Sequence, residues 1–396
     1  MSTEQYLILT TNPERRRGEA DGVGDIVEVV EASPGDIVGL PDDVEVAPVM
    51  PLLPIEPLAA ADRPEDATLE TSTGRVAWGV DAVGALRTPY EGQGVTVAVI
   101  DSGIDQDHPA FAGVEIEAVD FTNLQGAPNE APDRDGHGTH CAATIFGRSV
   151  DGLRIGVAPG VDKALIAKVF DPGQSATTIE LGSAINWAVS RGADVISMSL
   201  GMDFPGYVER LVERGLDRRT ATSLGLVAYQ ENVNFFGRLA AFIRAAEEMR
   251  KPVTMVAASG NESARDAQMP RVIAASPPAS ADGVFAVGAV GRERDGTLKV
   301  ASFSNSKPSS SAPGVSIVSA APGGGLSVLS GTSMATPHLA GVLSLHIEKL
   351  RQGPGGGVQA AQQAMGNVLA GVTTNRLPQG WSRRDYGAGL VQAPGV

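Results

Sequence analysis

The sequence predicts an α/β protein: a doubly wound, mostly parallel sheet with helices on both faces, plus a small N-terminal extension. Three observations carry this expectation. Apolar, β-prone runs at residues 95–100, 164–170, 194–198, 253–257 and 284–289 read as buried strands, the first a continuous run that fits a strand covered on both faces. Helical material lies between them, as at residues 181–190, which gives the βα rhythm of a parallel sheet. The 396 residues, 42% hydrophobic and with 48 glycines, suffice for one large core and a small appendage.

Residues 1–75 have a texture of their own. Tyr6 to Thr10 and Ile26 to Val30 are short β-prone runs, and Val44-Glu45-Val46 alternates. Pro48, Pro51, Pro54, Pro57 and Pro64 then stud a segment that must be extended and is expected to be neither helix nor central strand. The main domain, residues 76–396, follows. Its first run ends in Asp101-Ser102-Gly103-Ile104-Asp105, placing a carboxylate at the carboxyl end of a strand. Asp135-Gly136-His137-Gly138-Thr139-His140 sets two glycines around a histidine and leads into small and apolar residues suited to a tightly packed helix. About fifty residues separate Ser199-Leu200-Gly201 from the run at 253, more than one crossover helix requires. Leu239, Phe242, Ile243, Ala246 and Met249 recur there at helical spacing, so 202–250 holds a helical insertion. The next run ends in Ser259-Gly260-Asn261-Glu262.

Gly331-Thr332-Ser333-Met334-Ala335-Thr336-Pro337-His338 opens a helix whose later residues are apolar on more than one face, so it should run through the core. Pro337 is expected in the first turn, where backbone N–H groups have no intrahelical partner. Ser333 then sits where free N–H groups and the helix dipole favour negative charge. A serine at a helix start is ordinarily a cap, and this stretch alone does not separate a cap from a nucleophile. Asp101, His137 and Ser333, in that order, are the subtilisin arrangement of an acyl-transfer triad.

On these four motifs, residues 76–396 resemble the subtilisin-like serine peptidases, the subtilases. The resemblance implies Ser333 as nucleophile, His137 as general base and acid, Asp101 as the carboxylate that orients the imidazole, and Asn261 as an oxyanion-hole amide. A serine hydroxyl needs a base during attack, and histidine titrates near neutrality. A fixed amide at the oxyanion contributes about 3–4 kcal/mol, a magnitude taken from a subtilisin asparagine in this role. The resemblance further implies that Ser199, Leu200 and Gly201 pair with substrate backbone. These three and Ala257, Ala258, Ser259 and Gly260 should wall the first subsite, which would admit a large uncharged side chain; Glu262 at its rim could accept a basic one. The expected function is a serine endopeptidase acting on protein or peptide substrates. The rivals are a dedicated processing protease for one partner and an inactive peptide-binding scaffold.

No metal or organic cofactor is expected in catalysis. Structural calcium is common in subtilases. Here, however, the usual loop reads Arg148-Ser149-Val150-Asp151-Gly152-Leu153-Arg154, whose two arginines oppose a divalent cation. His137 and His140 lack the intervening glutamate of a zinc-protease pair. Cys141, the single cysteine, excludes an intramolecular disulfide and resembles the buried thiol of proteinase K-like subtilases. A net charge of −15, with no basic run long enough to offer a phosphate-binding stripe, argues against nucleic acid as a partner. Tyr6-Leu7-Ile8-Leu9, followed by Arg15-Arg16-Arg17, is too short for a secretory signal or a membrane span, so a cytoplasmic protein is expected. Residues 1–75 stand where subtilases carry a propeptide. They are read either as a zymogen-type intramolecular inhibitor, laid into the cleft by strand addition, or as a brace on the domain's outside. The insertion is read either as a lid beside the cleft or as a surface elaboration.

Overall fold

The computed structural model describes all residues except 1–3, 11–25, 34–36, 38–39, 42–43, 60–66, 72–73, 123–129, 175, 246–251, 354–358 and 396. Arg15 to Arg17, Pro64, Ala246 and Met249, all noted in the sequence, lie outside the described residues. The N-terminal region supplies strands β1 (Glu4–Thr10), β2 (Val27–Ala32), β3 (Val44–Pro48), β4 (Pro51–Pro54) and β5 (Leu58–Ala59). The main domain follows with β6 (Thr96–Asp101), β7 (Glu115–Asp120), helix α1 (His137–Phe146), β8 (Lys163–Lys168), α2 (Thr178–Ser190), β9 (Val195–Met198) and β10 (Leu200–Met202). Next come α3 (Phe204–Glu213), α4 (Arg218–Ala245), β11 (Thr254–Ala258), β12 (Val284–Arg292), β13 (Leu298–Val300), β14 (Ser310–Pro313), β15 (Ile317–Ala321), β16 (Gly325–Ser330) and α5 (Thr332–Gln352).

The five apolar runs all become strands of one sheet, in the order β13-β12-β11-β9-β6-β8-β7, with β14 beside β12. Every pairing is parallel except that of β13 with β12. Side-chain alternation explains why these runs are continuously apolar. Val97 and Val99 enter a core shared with α1 and α5, while Ala98 and Ile100 enter a second core shared with α2 and α4. Both faces are therefore buried. In register, Lys168 lies beside Asp101, so Asp101 ends the strand at the sheet's carboxyl edge.

The N-terminal region is built into the molecule. Strands β2-β1-β3 form an antiparallel sheet whose Leu7, Leu9, Ile26, Val27 and Ala47 join the second core beside α2 and α4. Helix α2 begins with a capping box, Thr177 and Glu180, and a Cβ at its Gly182 would meet Val27 at 3.0 Å. The expectation that the proline-rich segment could not be a central strand is overturned. Strand β4 lies in the middle of a three-stranded sheet, between Ala176–Thr177 and β10. Its prolines stand at its two ends, and their carbonyls still accept: Asp203 N–H donates to Pro51 O at 3.0 Å.

The insertion folds as α3 and α4. Phe235, Phe236, Leu239 and Ile243 of α4 are at most 2% exposed and root it in the second core. Asn232, buried within that face, donates to Pro48 O at 2.9 Å and so ties the insertion to the N-terminal region.

Two buried histidines set an acid limit on this fold. Burial pushes His140 down from 6.5 to about 3 and His338 to about 4, although each ring contacts a backbone carbonyl. A depressed histidine pKa means that the unfolded chain takes up protons first, so stability falls as the pH drops below 6.5. The melting temperature should decline steadily from pH 6.5 towards pH 4, and His338→Gln should flatten that slope; an unchanged slope would rule out the histidine origin.

Candidate active site

Three loops at the carboxyl edge of the sheet and the start of α5 bring the predicted residues together. Asp101 Oδ1 lies 2.7 Å from His137 Nδ1, with both side chains 3% exposed. Gly136 precedes His137 with φ 97°, a left-handed turn that suits glycine and delivers the imidazole as the first residue of α1. Asp133, which the sequence reading did not single out, fastens this corner. It accepts from Ser102 Oγ, Gly136 N, Thr139 N and Thr139 Oγ1 at 2.6–2.9 Å. Burial opposes its charge, but these donors hold its pKa below the ordinary value. Ser102 Oγ in turn accepts from Gly138 N, so the strand end and the helix start are stitched to one another.

Ser333 is the second residue of α5, not a cap. This also corrects the placing of Pro337, which is the sixth residue of the helix and lies beyond its first turn. There it withholds the N–H that Ser333 O would otherwise accept. The freed carbonyl is taken up by Ser199 Oγ at 3.3 Å and Cys141 Sγ at 3.4 Å. A proline in the helix of Ser333 thus creates the anchor for two side chains around it. Burial raises the Cys141 pKa, so the thiol is neutral and acts as a weak donor.

Asn261 follows β11 and the Ser259-Gly260 turn. Its Oδ1 accepts from Thr332 N and Thr332 Oγ1, both at 2.9 Å, and that fixes which way its amide points. A Cβ at Gly331 would stand 3.0 Å from Asn261 Nδ2, so glycine leaves room for this approach. Thr332 is a second residue that the sequence reading passed over. Its only signal was its place between Gly331 and Ser333.

The cleft between these groups holds residues 51–59 of the same chain. Pro54, Leu53 and Leu52 pair antiparallel with Leu200, Gly201 and Met202. Ile55 N donates to Ser199 O at 3.2 Å. Downstream, Leu58 and Ala59 pair with Ser330 and Leu329 of β16. Between these ladders Ser333 Oγ donates to Ile55 O at 2.8 Å, and Asn261 Nδ2 donates to Glu56 O at 2.9 Å. His137 Nε2 has no hydrogen-bond partner among the described residues, because the serine hydroxyl points to Ile55. Of the expected subsite walls, Ser199, Leu200 and Gly201 meet this segment. Ala257, Ala258, Ser259 and Gly260 lie buried at the end of β11, and Gly260 N donates to Thr332 Oγ1.

The residues that could suggest a metal site have other partners in this structure. His140 turns from His137 to Ile317 O at 3.0 Å, so the two rings do not converge on one ion. Candidate ligand atoms of Asp101, His137 and Cys141 do cluster within 4.8 Å, but Asp101 and His137 are already engaged with each other. In the usual calcium loop, Arg148 donates to Phe146 O and Val161 O, and Arg154 donates to Gly156 O and Val157 O.

With this geometry in view, the sequence comparisons are decisive. A sequence profile described as the subtilase family matches residues 92–389. The chain belongs to the subtilase family. It is 32% identical over 262 residues to an intracellular serine protease of Paenibacillus polymyxa, covering 66% of this chain and 69% of that protein. It is 35% identical over 271 residues to a subtilisin-like protease of Coccidioides posadasii, covering 66% of this chain but only 54% of that protein, about half its length. Fervidolysin from Fervidobacterium pennivorans, described as a keratinolytic enzyme related to subtilisin, superposes with a TM-score of 0.66. At 22% identity, covering 99% of this subtilase and 60% of fervidolysin, that likeness speaks for the fold.

Two outcomes follow from the electrostatics. Cys141, 1% exposed and with a raised pKa, should resist iodoacetamide at pH 8 in the native protein and react only after denaturation. Fast alkylation of the folded protein would contradict its burial. Burial opposes the charge on His137, but the adjacent Asp101 carboxylate outweighs it and holds the imidazole pKa well above 6.5. The base role expected for His137 requires the neutral imidazole, so kcat/KM should rise with pH through a midpoint above 6.5. The same raised pKa adds stability below pH 6.5, which is lost as the pH rises through the folded value.

Proposed function

We propose that this subtilase is a serine endopeptidase that cleaves peptide bonds through an acyl-enzyme and is held inactive by its own residues 51–59. The observation that carries the reading is the convergence of Ser333 Oγ and Asn261 Nδ2 on consecutive carbonyls of one extended polypeptide, beside the buried Asp101–His137 pair. Ser333 Oγ attacks the substrate carbonyl carbon and its proton passes to His137 Nε2. Asp101 keeps Nδ1 protonated and stabilises the imidazolium. The oxygen that becomes negative is met by Asn261 Nδ2 and by the Ser333 N–H at the helix start. His137 then returns the proton to the leaving amine as the C–N bond breaks. Water, giving a proton to the same imidazole, attacks the acyl-enzyme to release the acid and restore Ser333. No step calls for a metal. The arginine-to-carbonyl bonds of residues 148–154 support a loop that needs no calcium.

The N-terminal segment follows a substrate's path without offering a cleavable bond. The upstream ladder ends with Ile55 on Ser199, and the downstream ladder begins with Leu58 on Ser330. Glu56 and Pro57 bridge the gap, and the two catalytic donors are split over two carbonyls. Neither carbonyl receives both the nucleophile and the oxyanion amide. A hydroxyl donating to Ile55 O also keeps its proton from His137. This supports an inhibitor over a brace.

No helix among the described residues is long and apolar enough to cross a membrane. The name of the Paenibacillus relative, an intracellular serine protease, supports a cytoplasmic site of action.

Ser333→Ala should stay folded and lose on the order of 10⁶-fold in kcat, the loss measured for a subtilisin serine. Asn261→Ala should lose about 10²–10³-fold, since one oxyanion donor remains. Equal losses in the two variants would assign Asn261 another role. Leu52 is 1% exposed, so a charge there should loosen the segment. Full-length Leu52→Asp should hydrolyse a peptide substrate at least about tenfold faster than the parent chain, a population shift of ~1.4 kcal/mol. An unchanged rate would point to a brace.

A further inference from the structure

The insertion borders a cavity that the proposed chemistry does not use. The void, about 680 Å³ in volume, remains open with residues 53–55 already in the cleft. Sites of this size enclose a whole small molecule, more than a single side chain needs. In an extended strand, residues two apart share a face. Leu53 and Ile55 therefore point to one side, and both border the cavity. Leu52 lies on the opposite face, in the second core.

The two side chains meet the cavity differently. Ile55, 4% exposed, sits at its inner end against Gly201, where an added Cβ would stand 3.8 Å from Ile55 Cδ1 and 2.8 Å from Ser276 Oγ. Leu53, 51% exposed, stands at its mouth and leaves it unfilled. The outer wall is Phe204, Leu226 and Tyr229 of the insertion, facing Ile273. Leu226 and Ile273 are 57% and 41% exposed, apolar groups left without a cover.

This wall is built to stand. Phe204 and Tyr229 stack edge to face at 5.9 Å and 85°. Gly225 lets the two helices touch, since a Cβ there would come within 2.8 Å of Val208 Cγ2. Asp203 caps α3 by accepting from Gly206 N at 2.9 Å, and the far half of α4 is rooted in the core.

We propose that the insertion makes this cavity a substrate subsite. It would select a bulky apolar or aromatic side chain at the position Leu53 occupies, two residues upstream of the one that reaches Ser199 O. The occupant is the substrate's own polypeptide, because the cavity is continuous with the ladder formed on Gly201 and Met202. The assignment rests on the endopeptidase reading for its role, so its test has an arm that needs no catalysis.

In the full-length chain, Leu53→Trp should fill the void and raise the melting temperature by a few degrees. The gain should vanish when Leu226→Ser or Tyr229→Ala is also present, a coupling that marks direct contact. The second arm uses the Leu52→Asp chain and peptides that differ only at the Leu53-equivalent position. Phenylalanine should exceed serine in kcat/KM by about tenfold or more, and Leu226→Ser should shrink that ratio towards one. No stabilisation by Leu53→Trp, or an equal gain in every background, overturns the subsite. So does hydrolysis without preference at that position. If Leu53→Trp couples to Leu226 while no peptide is cut, the subsite stands and the peptidase reading fails.

Discussion

A buried carboxylate and a buried imidazole, 2.7 Å apart, are the contact on which the rest of this molecule depends. Charges so placed stabilise the structure only if their geometry is held from outside, since desolvation otherwise outweighs their attraction. The parallel sheet supplies one half of that hold by ending β6 at Asp101, with both faces of the strand covered. Asp133 and Ser102 supply the other by clamping the first turn of α1 onto the strand end. The left-handed backbone of Gly136 then delivers His137 to the carboxylate.

The serine and its amide are placed by a separate logic. A helix start provides free N–H groups, and a proline farther along the same helix provides a free carbonyl. Thr332 turns its N–H and hydroxyl to Asn261, which fixes the amide. Pro337 withholds an N–H, which frees Ser333 O for Ser199 and Cys141. Both groups draw residues from distant parts of the chain to Ser333. Asn261 and Ser199 are thereby tied to the same turn.

The N-terminal region reaches the site because it is part of the core. Strands β1 to β3 bury their apolar faces against α2 and α4, and Asn232 takes hold of Pro48 just before the chain enters the cleft. The insertion therefore serves two sides at once. Its distal half anchors the region that leads into the cleft, and its proximal half walls the cavity beside Leu53. Prolines at both ends of β4 keep the segment extended, so little conformational entropy is lost when it lies across the site.

The sequence by itself determined the sheet, because strands covered on both faces must be continuously apolar, and residues 95–100 and 253–257 show that pattern. It also singled out Asp101, His137, Asn261 and Ser333, which the structure brings together, because acyl-transfer chemistry permits few residue types and the flanking glycines allow close approach. Placing Pro337 in the first turn was a miscount: from a start at Thr332 or at Ser333 it is the sixth or the fifth residue, past the helix's free N–H groups. Asp133 and Thr332 stayed hidden because each acts by hydrogen bonds to a backbone far along the chain. The proline-rich segment could be read as extended, but not as the middle strand of a sheet. Only the tertiary structure decided that, along with the split of Ser333 and Asn261 over two carbonyls. Strand register and the meeting of segments nearly three hundred residues apart are set by packing, on which local sequence carries no information.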